Sequence, residues 1–102
     1  MSPTARSLAL MRERGYLCGV VEKWVPMAKI RLDLYNLWDL LAIREGETCA
    51  VQTTSLSNIS SRLKKIAEHE NLAKCRKAGW KLLVHGWAKK KGRWTVREVD
   101  VS

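Results

Sequence analysis

Residues 37–54 concentrate the chemistry of this sequence. Two largely apolar runs, LWDLLAI at 37–43 and TCAVQTT at 48–54, flank Arg44-Glu45-Gly46-Glu47, which is the pattern of a β-hairpin. A tight turn centred on Glu45-Gly46 sets the register. Asp39 then faces Gln52, Leu37 faces Thr54, Leu41 faces Ala50 and Ile43 faces Thr48, all on one side. Trp38, Leu40, Ala42, Cys49, Val51 and Thr53 take the other side. Both sides are mostly apolar, so the hairpin is expected to be central and covered on both faces. An aspartate in such a place is unfavourable unless it is hydrogen-bonded or binds a cation. Asp39 with Gln52 and Thr54 makes a small oxygen-rich cluster, the ligand type that hard divalent cations such as Mg²⁺ take. The other reading is that Asp39 only hydrogen-bonds Gln52 and the threonine hydroxyls.

Further charged groups can join this cluster. Glu22 sits on the first strand, and Asp33 lies six residues before Asp39. Either reaches a cation if its segment borders the open end of the hairpin. Arg62, Lys65 and His69 follow at i, i+3 and i+7, one face of a helix that can supply a positive group or contact phosphate.

The elements that must position these residues read in the order α-β-β-β-α-β-β, an α/β fold with a mixed central sheet. Ser2-Pro3 is an N-cap followed by proline at the first helical position, and Gly15 is the stop after a helix to about Arg14. Residues 16–25 read as one strand ended by Pro26, and residues 26–35 as irregular chain. Ser57 or Asn58 caps a second helix carrying Ile59, Leu63, Ile66 and Ala67 on one face, with a break near 69–71 and an end at Gly79. Residues 80–87 and 93–100 form a second strand pair across Lys89-Lys90-Lys91-Gly92, with Trp87 and Trp94 facing each other. His85, alone in an apolar strand, reads as a structural residue.

The order helix, strand, hairpin, helix, strand, with Asp39 on the second core strand and Gln52-Thr53-Thr54 on the third, resembles the PD-(D/E)XK, or restriction-endonuclease-like, nuclease superfamily. The stretch LWDLLAI-REGE-TCAVQTT is similar to archaeal-type Holliday junction resolvases, to virus-type replication-repair nuclease modules and to small phage proteins of that kind. The resemblance implies one nuclease domain over residues 1–102 and a divalent-metal-dependent deoxyribonuclease using Mg²⁺ or Mn²⁺. It makes Asp39, Gln52 and Thr54 the catalytic positions, and Asp39, Gln52, Asp33 and Glu22 the metal ligands. By analogy with resolvases it also implies branched DNA as substrate and a homodimer that cuts two strands symmetrically. Gln52 stands where the superfamily usually has an acid, and Thr54 where it has lysine. Residues 3–7 lack the acid that resolvases carry near the start of the first helix. The alternative implied by these departures is a non-catalytic nucleic-acid-binding module on the same fold.

Charge points to the same partner. The net charge is +9, and it is uneven. Residues 1–56 hold seven Lys/Arg and six Asp/Glu, whereas residues 57–102 hold twelve and four. A basic half beside an acid-bearing half fits a polyanion-binding surface next to a metal site. Arg62, Lys65, Lys89, Lys90, Lys91 and Arg93 are the expected phosphate contacts, and a basic structural protein is the remaining reading. Cys18, Cys49 and Cys75 show no zinc spacing, and Cys49 and Cys75, in apolar patterns, are expected as buried free thiols in a reducing, cytoplasmic compartment. No apolar run reaches the roughly 18 residues of a membrane span, so no membrane association is expected.

Overall fold

The computed structural model describes residues 1–102. Helix α1 (Pro3–Glu13) begins where Ser2 Oγ accepts from the Ala5 N–H at 3.1 Å, with Pro3 in the first turn. Gly15, at φ 92°, ends it in the left-handed conformation that glycine adopts without strain. Strand β1 (Leu17–Val20) follows, but the expected strand over 16–25 is two pieces. The Val21 N–H bonds Asp39 O at 2.9 Å, and the chain then turns away from the sheet. Strands β2 (Lys23–Val25) and β3 (Ile30–Leu32) pair as a separate antiparallel hairpin, in place of the irregular chain expected there.

The central hairpin is β4 (Leu40–Arg44) and β5 (Glu47–Ser55), turning at Gly46 with φ 71°. The ladder runs Leu40↔Val51, Leu41↔Ala50, Ala42↔Cys49 and Ile43↔Thr48, the register that the Glu45-Gly46 turn dictates. It stops at Leu40. Residues 34–38 form a turn in which the Leu34 N–H bonds Trp38 O at 2.8 Å, so Leu37 does not face Thr54. A 3-10 turn (Leu56–Asn58) leads into α2 (Ile59–Ala67), and a break gives α3 (Leu72–Lys77). Strands β6 (Lys81–Lys90) and β7 (Arg93–Asp100) complete a mixed five-stranded sheet of order β1-β4-β5-β6-β7. Only β5 and β6 run parallel, a pairing that needs the helical crossover that joins them.

The β6–β7 turn is Lys91-Gly92, both at positive φ, so β6 runs on to Lys90, past the expected end at 87, while β7 begins at Arg93 as expected. The register is therefore Trp87↔Val96 and Lys89↔Trp94, and the two tryptophans do not face each other. Arg6 instead lies over the Trp94 ring, 3.5 Å from its centroid.

Each sheet face has its own core. Met11, Tyr16, Cys18, Leu40, Ala42, Cys49, Val51 and Leu83 pack on the α1 side. Trp38, Ala50, Ile59, Ile66, Leu72, Leu82 and Val84 pack under α2 and α3. Alternation along β5 and β6 sends odd residues to the first core and even residues to the second, which makes the central strands doubly covered. The three cysteines are free and buried. No helix is long and apolar enough to cross a membrane.

A buried polar chain pins α1 to the sheet. The Trp87 Nε1–H donates to Ser7 Oγ at 2.8 Å, so the Ser7 proton goes to His85 Nδ1, also at 2.8 Å. His85 Nε2 then donates to Glu98 Oε2 at 2.8 Å, and Arg14 holds the same carboxylate. Burial holds the His85 pKa below its usual value against the opposing pull of Glu98. Ser7 and His85 are both fully enclosed. The arrangement gives no substrate access to the serine and is structural.

Gly86 is the contact on which α2 closes. A Cβ there would meet Ile59 Cδ1 at 2.8 Å and Ile59 Cβ at 3.2 Å. Gly86→Ala should destabilise the fold by about 1–3 kcal/mol through overpacking, read as a lower midpoint in urea unfolding. An unchanged midpoint would show that Ile59 yields at no energetic cost.

Candidate metal centre

Three carboxylates meet at the end of the β4–β5 hairpin. Glu22, Asp33 and Asp39 each place one oxygen so that all lie within 4.8 Å of one another. Each arrives by a different local device. The bond from Val21 N to Asp39 O ties the end of β1 beside Asp39 and brings Glu22 with it. Glu22 and Asp33 flank the β2–β3 ladder just beyond its Lys23↔Leu32 pair, so the small hairpin sets them side by side. Asp39 sits one residue before β4, with its N–H on Val51 O at 2.9 Å.

Asp39 is only 5% exposed, and β5 holds its carboxylate. Oδ2 accepts from the Thr53 N–H at 2.8 Å and from the Thr53 hydroxyl at 3.1 Å. Thr4 on α1 in turn bonds the Thr53 hydroxyl at 2.8 Å. Strand alternation alone puts Thr53 on the opposite side of the hairpin from Asp39. It is nevertheless the direct partner, because Asp39 lies past the last ladder pair and is free of that alternation. No feature of residue type marks it, since the chief donor is a main-chain N–H.

Gln52 takes part through both ends of its amide. Nε2 donates to Leu37 O at 2.7 Å and lies 3.5 Å from Asp33 Oδ2. This fixes the amide orientation, since a flipped group would set two oxygens against each other. Oε1 faces the Thr53 N–H at 3.2 Å, the same hydrogen that Asp39 Oδ2 accepts. The Gln52 amide oxygen and the Asp39 carboxylate therefore converge on one point. Thr54 is buried, pairs with Gly86 and lines neither cavity of the molecule.

A cavity of about 320 Å³ opens beside the acids. Asp33 and Gln52 line one wall, and Arg62 and Lys65 on α2, with Glu68 and His69 just past its end, line the other. The face expected at i, i+3 and i+7 thus points at the site. Lys89, Lys90, Lys91 and Arg93 are elsewhere, exposed at the β6–β7 tip. Arg31 approaches Glu22 at 3.4 Å, a partly exposed pair that offsets little of the cluster's charge.

The electrostatics follow. Burial pushes the Asp39 pKa up to about 8, with Asp33 and Glu22 adding to the rise and the Thr53 N–H opposing it. The donor set is all hard oxygen, three carboxylates and one amide, which suits Mg²⁺ or Mn²⁺ and not a thiophilic metal. Comparison with family models and with curated proteins finds no match.

The raised pKa has a definite consequence for stability. Above its usual value of 3.8 the unfolded chain has released a proton that folded Asp39 keeps until about pH 8. Folding therefore weakens as pH rises across that window, by at most about 1.4 kcal/mol per pH unit. Asp39→Asn keeps an acceptor for Thr53 and removes the charge. It should be more stable than wild type near pH 8 and flatten the dependence, as compared by urea unfolding at several pH values. Equal slopes in the two proteins would contradict a proton held by folded Asp39.

Proposed function

We propose that the chain is a divalent-metal-dependent nuclease acting on DNA, on a restriction-endonuclease-like core of the PD-(D/E)XK class. The observation that carries this reading is the convergence of Glu22, Asp33, Asp39 and the Gln52 amide oxygen, with Arg62 and Lys65 across the cavity that Asp33 and Gln52 line. Support for the core comes from α1, the antiparallel β1-β4-β5 unit and the helical crossover to a parallel β6. Preference for branched DNA and pairing of two copies belong to the same resolvase-like reading.

Glu22, Asp33 and Asp39 with Gln52 would hold Mg²⁺ or Mn²⁺. Such a cation supplies Lewis acidity toward a phosphate oxygen and lowers the pKa of an attacking water. The chain's own residues do the positioning. Thr53 fixes the Asp39 carboxylate, and Gln52 braces Asp33 against the 34–38 turn. Arg62 and Lys65 balance phosphate charge across the cavity. The Lys89-Lys90-Lys91 tip extends the contact to backbone further along the strand.

A second reading, a binding module without catalysis, is favoured by one observation. Thr54 stands at the lysine position, is buried, and supplies no positive group to the cavity. Cleavage of linear, flapped and four-way-junction DNA separates the two. Wild type should cut weakly with Mn²⁺ or Mg²⁺, and Asp39→Ala should lose at least roughly a hundredfold. Gln52→Glu with Thr54→Lys should raise activity. If wild type cuts nothing and the double variant does, the binding-module reading stands in place of the nuclease.

Phosphate binding has its own signature. Replacing Lys89, Lys90 and Lys91 together with alanine should reduce the slope of log affinity against log salt by roughly 0.9 for each phosphate no longer neutralised. An unchanged slope would place the β6–β7 tip away from DNA.

A further inference from the structure

A second cavity, of about 370 Å³, lies on the far side of the 34–38 turn and is lined by Tyr35, Asn71, Lys74, Cys75, Ala78 and Trp80. We infer that it receives an unpaired nucleobase of the bound nucleic acid, stacked between Tyr35 and Trp80 while the neighbouring phosphate reaches the carboxylate cluster. This deepens the nucleic-acid reading above and rests on it.

The two rings define the slot. Their centroids are 6.2 Å apart and their planes diverge by 36°. Stacked bases repeat at about 3.4 Å, so a base between two rings needs them roughly 7 Å apart. The observed centroid distance is slightly short of that, so the tilted rings must part a little to admit a base. Trp80 is the fixed wall, half-buried against the core under α3. Tyr35 is the adjustable wall, 54% exposed.

The turn is built to present that ring. Tyr35 and Asn36 both have left-handed backbone, φ 54° and 60°, which asparagine tolerates and a tyrosine adopts only at a cost. The Asn71 side chain holds this backbone by donating to Tyr35 O at 3.2 Å, and the Leu37 N–H closes the turn on Leu34 O at 3.0 Å. Lys74 on the rim adds a cation where a nucleotide's phosphate would lie, and α3 carries Arg76 and Lys77 beside it.

Position ties the slot to the carboxylates. Asn36 and Leu37, the next residues of the same turn, line the cavity that holds Asp33 and Gln52. His69 lines that cavity and Asn71 this one, joined by the Asn71 N–H donating to His69 Nδ1 at 3.1 Å. A strand crossing the turn would set its backbone in one cavity and a base in the other. Only an unpaired base can enter, because a paired base is held in its duplex stack.

The test is fluorescence anisotropy with a short labelled single-stranded DNA, in EDTA so that no cleavage occurs. The same strand with abasic residues and a blunt duplex of the same sequence serve as comparators. Wild type should bind the intact strand more tightly than the abasic one. Tyr35→Gly suits the left-handed backbone, so it removes the ring without straining the turn. It should weaken binding of the intact strand by roughly tenfold or more, with duplex binding unchanged. Tyr35→Phe keeps a ring and should bind as wild type does. Equal affinity of wild type for intact and abasic strands, or no weakening in Tyr35→Gly, overturns the inference. Because the readout needs neither metal nor cleavage, an inactive protein that shows this base dependence sinks the nuclease reading and leaves the slot standing. A protein that cleaves while Tyr35→Gly binds normally does the reverse.

Discussion

A carboxylate that is almost wholly buried, with two other carboxylates at contact range, governs the architecture at one end of this sheet. Asp39 is 5% exposed, and Asp33 and Glu22 lie within 4.8 Å of it. Burial is the main cause of the upward shift of the Asp39 pKa, and the like charges of Asp33 and Glu22 add to it. The fold keeps the cluster by giving each acid a separate anchor. Thr53 donates twice to Asp39, Arg31 faces Glu22, and the Gln52 amide braces Asp33. Protonation of Asp39 relieves the repulsion up to about pH 8, and a divalent cation would relieve it by taking the place of that proton.

The rest of the molecule serves that assembly. The mixed sheet, covered on both faces, makes β5 a rigid rail, and the Thr53 N–H projects from it at a fixed place. Helix α2 returns across the even-numbered face and turns Arg62 and Lys65 toward the acids, with His69 following just past its end. Close packing of Ile59 on Gly86 sets the height of that helix over the sheet. The Ser7–His85–Glu98 chain locks α1, which carries Thr4 to Thr53. Acid and base therefore face each other across one cleft without neutralising each other directly.

Much of this is legible in the residues. Glu45-Gly46 sets the β4–β5 register, since a two-residue turn leaves one pairing that keeps both faces apolar. Ser2, Pro3 and Gly15 mark both ends of α1. Asp39 stands out as a charge in an apolar run. What cannot be read depends on contacts distant in sequence. The β2–β3 hairpin has strands of three residues, too short for alternation to show, yet it is the element that unites Glu22 with Asp33. Its trace is a pair of β-prone triplets, Lys23-Trp24-Val25 and Ile30-Arg31-Leu32, around Pro26. The stop of β4 at Leu40 is hidden because Leu37 and Trp38 are as apolar as strand residues. They are buried, but in a turn. The Lys89-Lys90-Lys91 run looks like a loop and is mostly strand, because a left-handed Lys91-Gly92 pair suffices to reverse the chain.

The claim that these carboxylates form a cation site is tested most directly by calorimetric titration of Mn²⁺ at neutral pH in buffers of different ionisation heat. Asp39 holds its proton to about pH 8, so a cation bound there must displace it. The account predicts one Mn²⁺ per chain, with release of up to about one proton that fades as pH rises past that value. In Asp39→Asn both the binding and the proton release should disappear. Absence of Mn²⁺ binding by the folded wild-type protein, or binding that Asp39→Asn leaves intact, would contradict it.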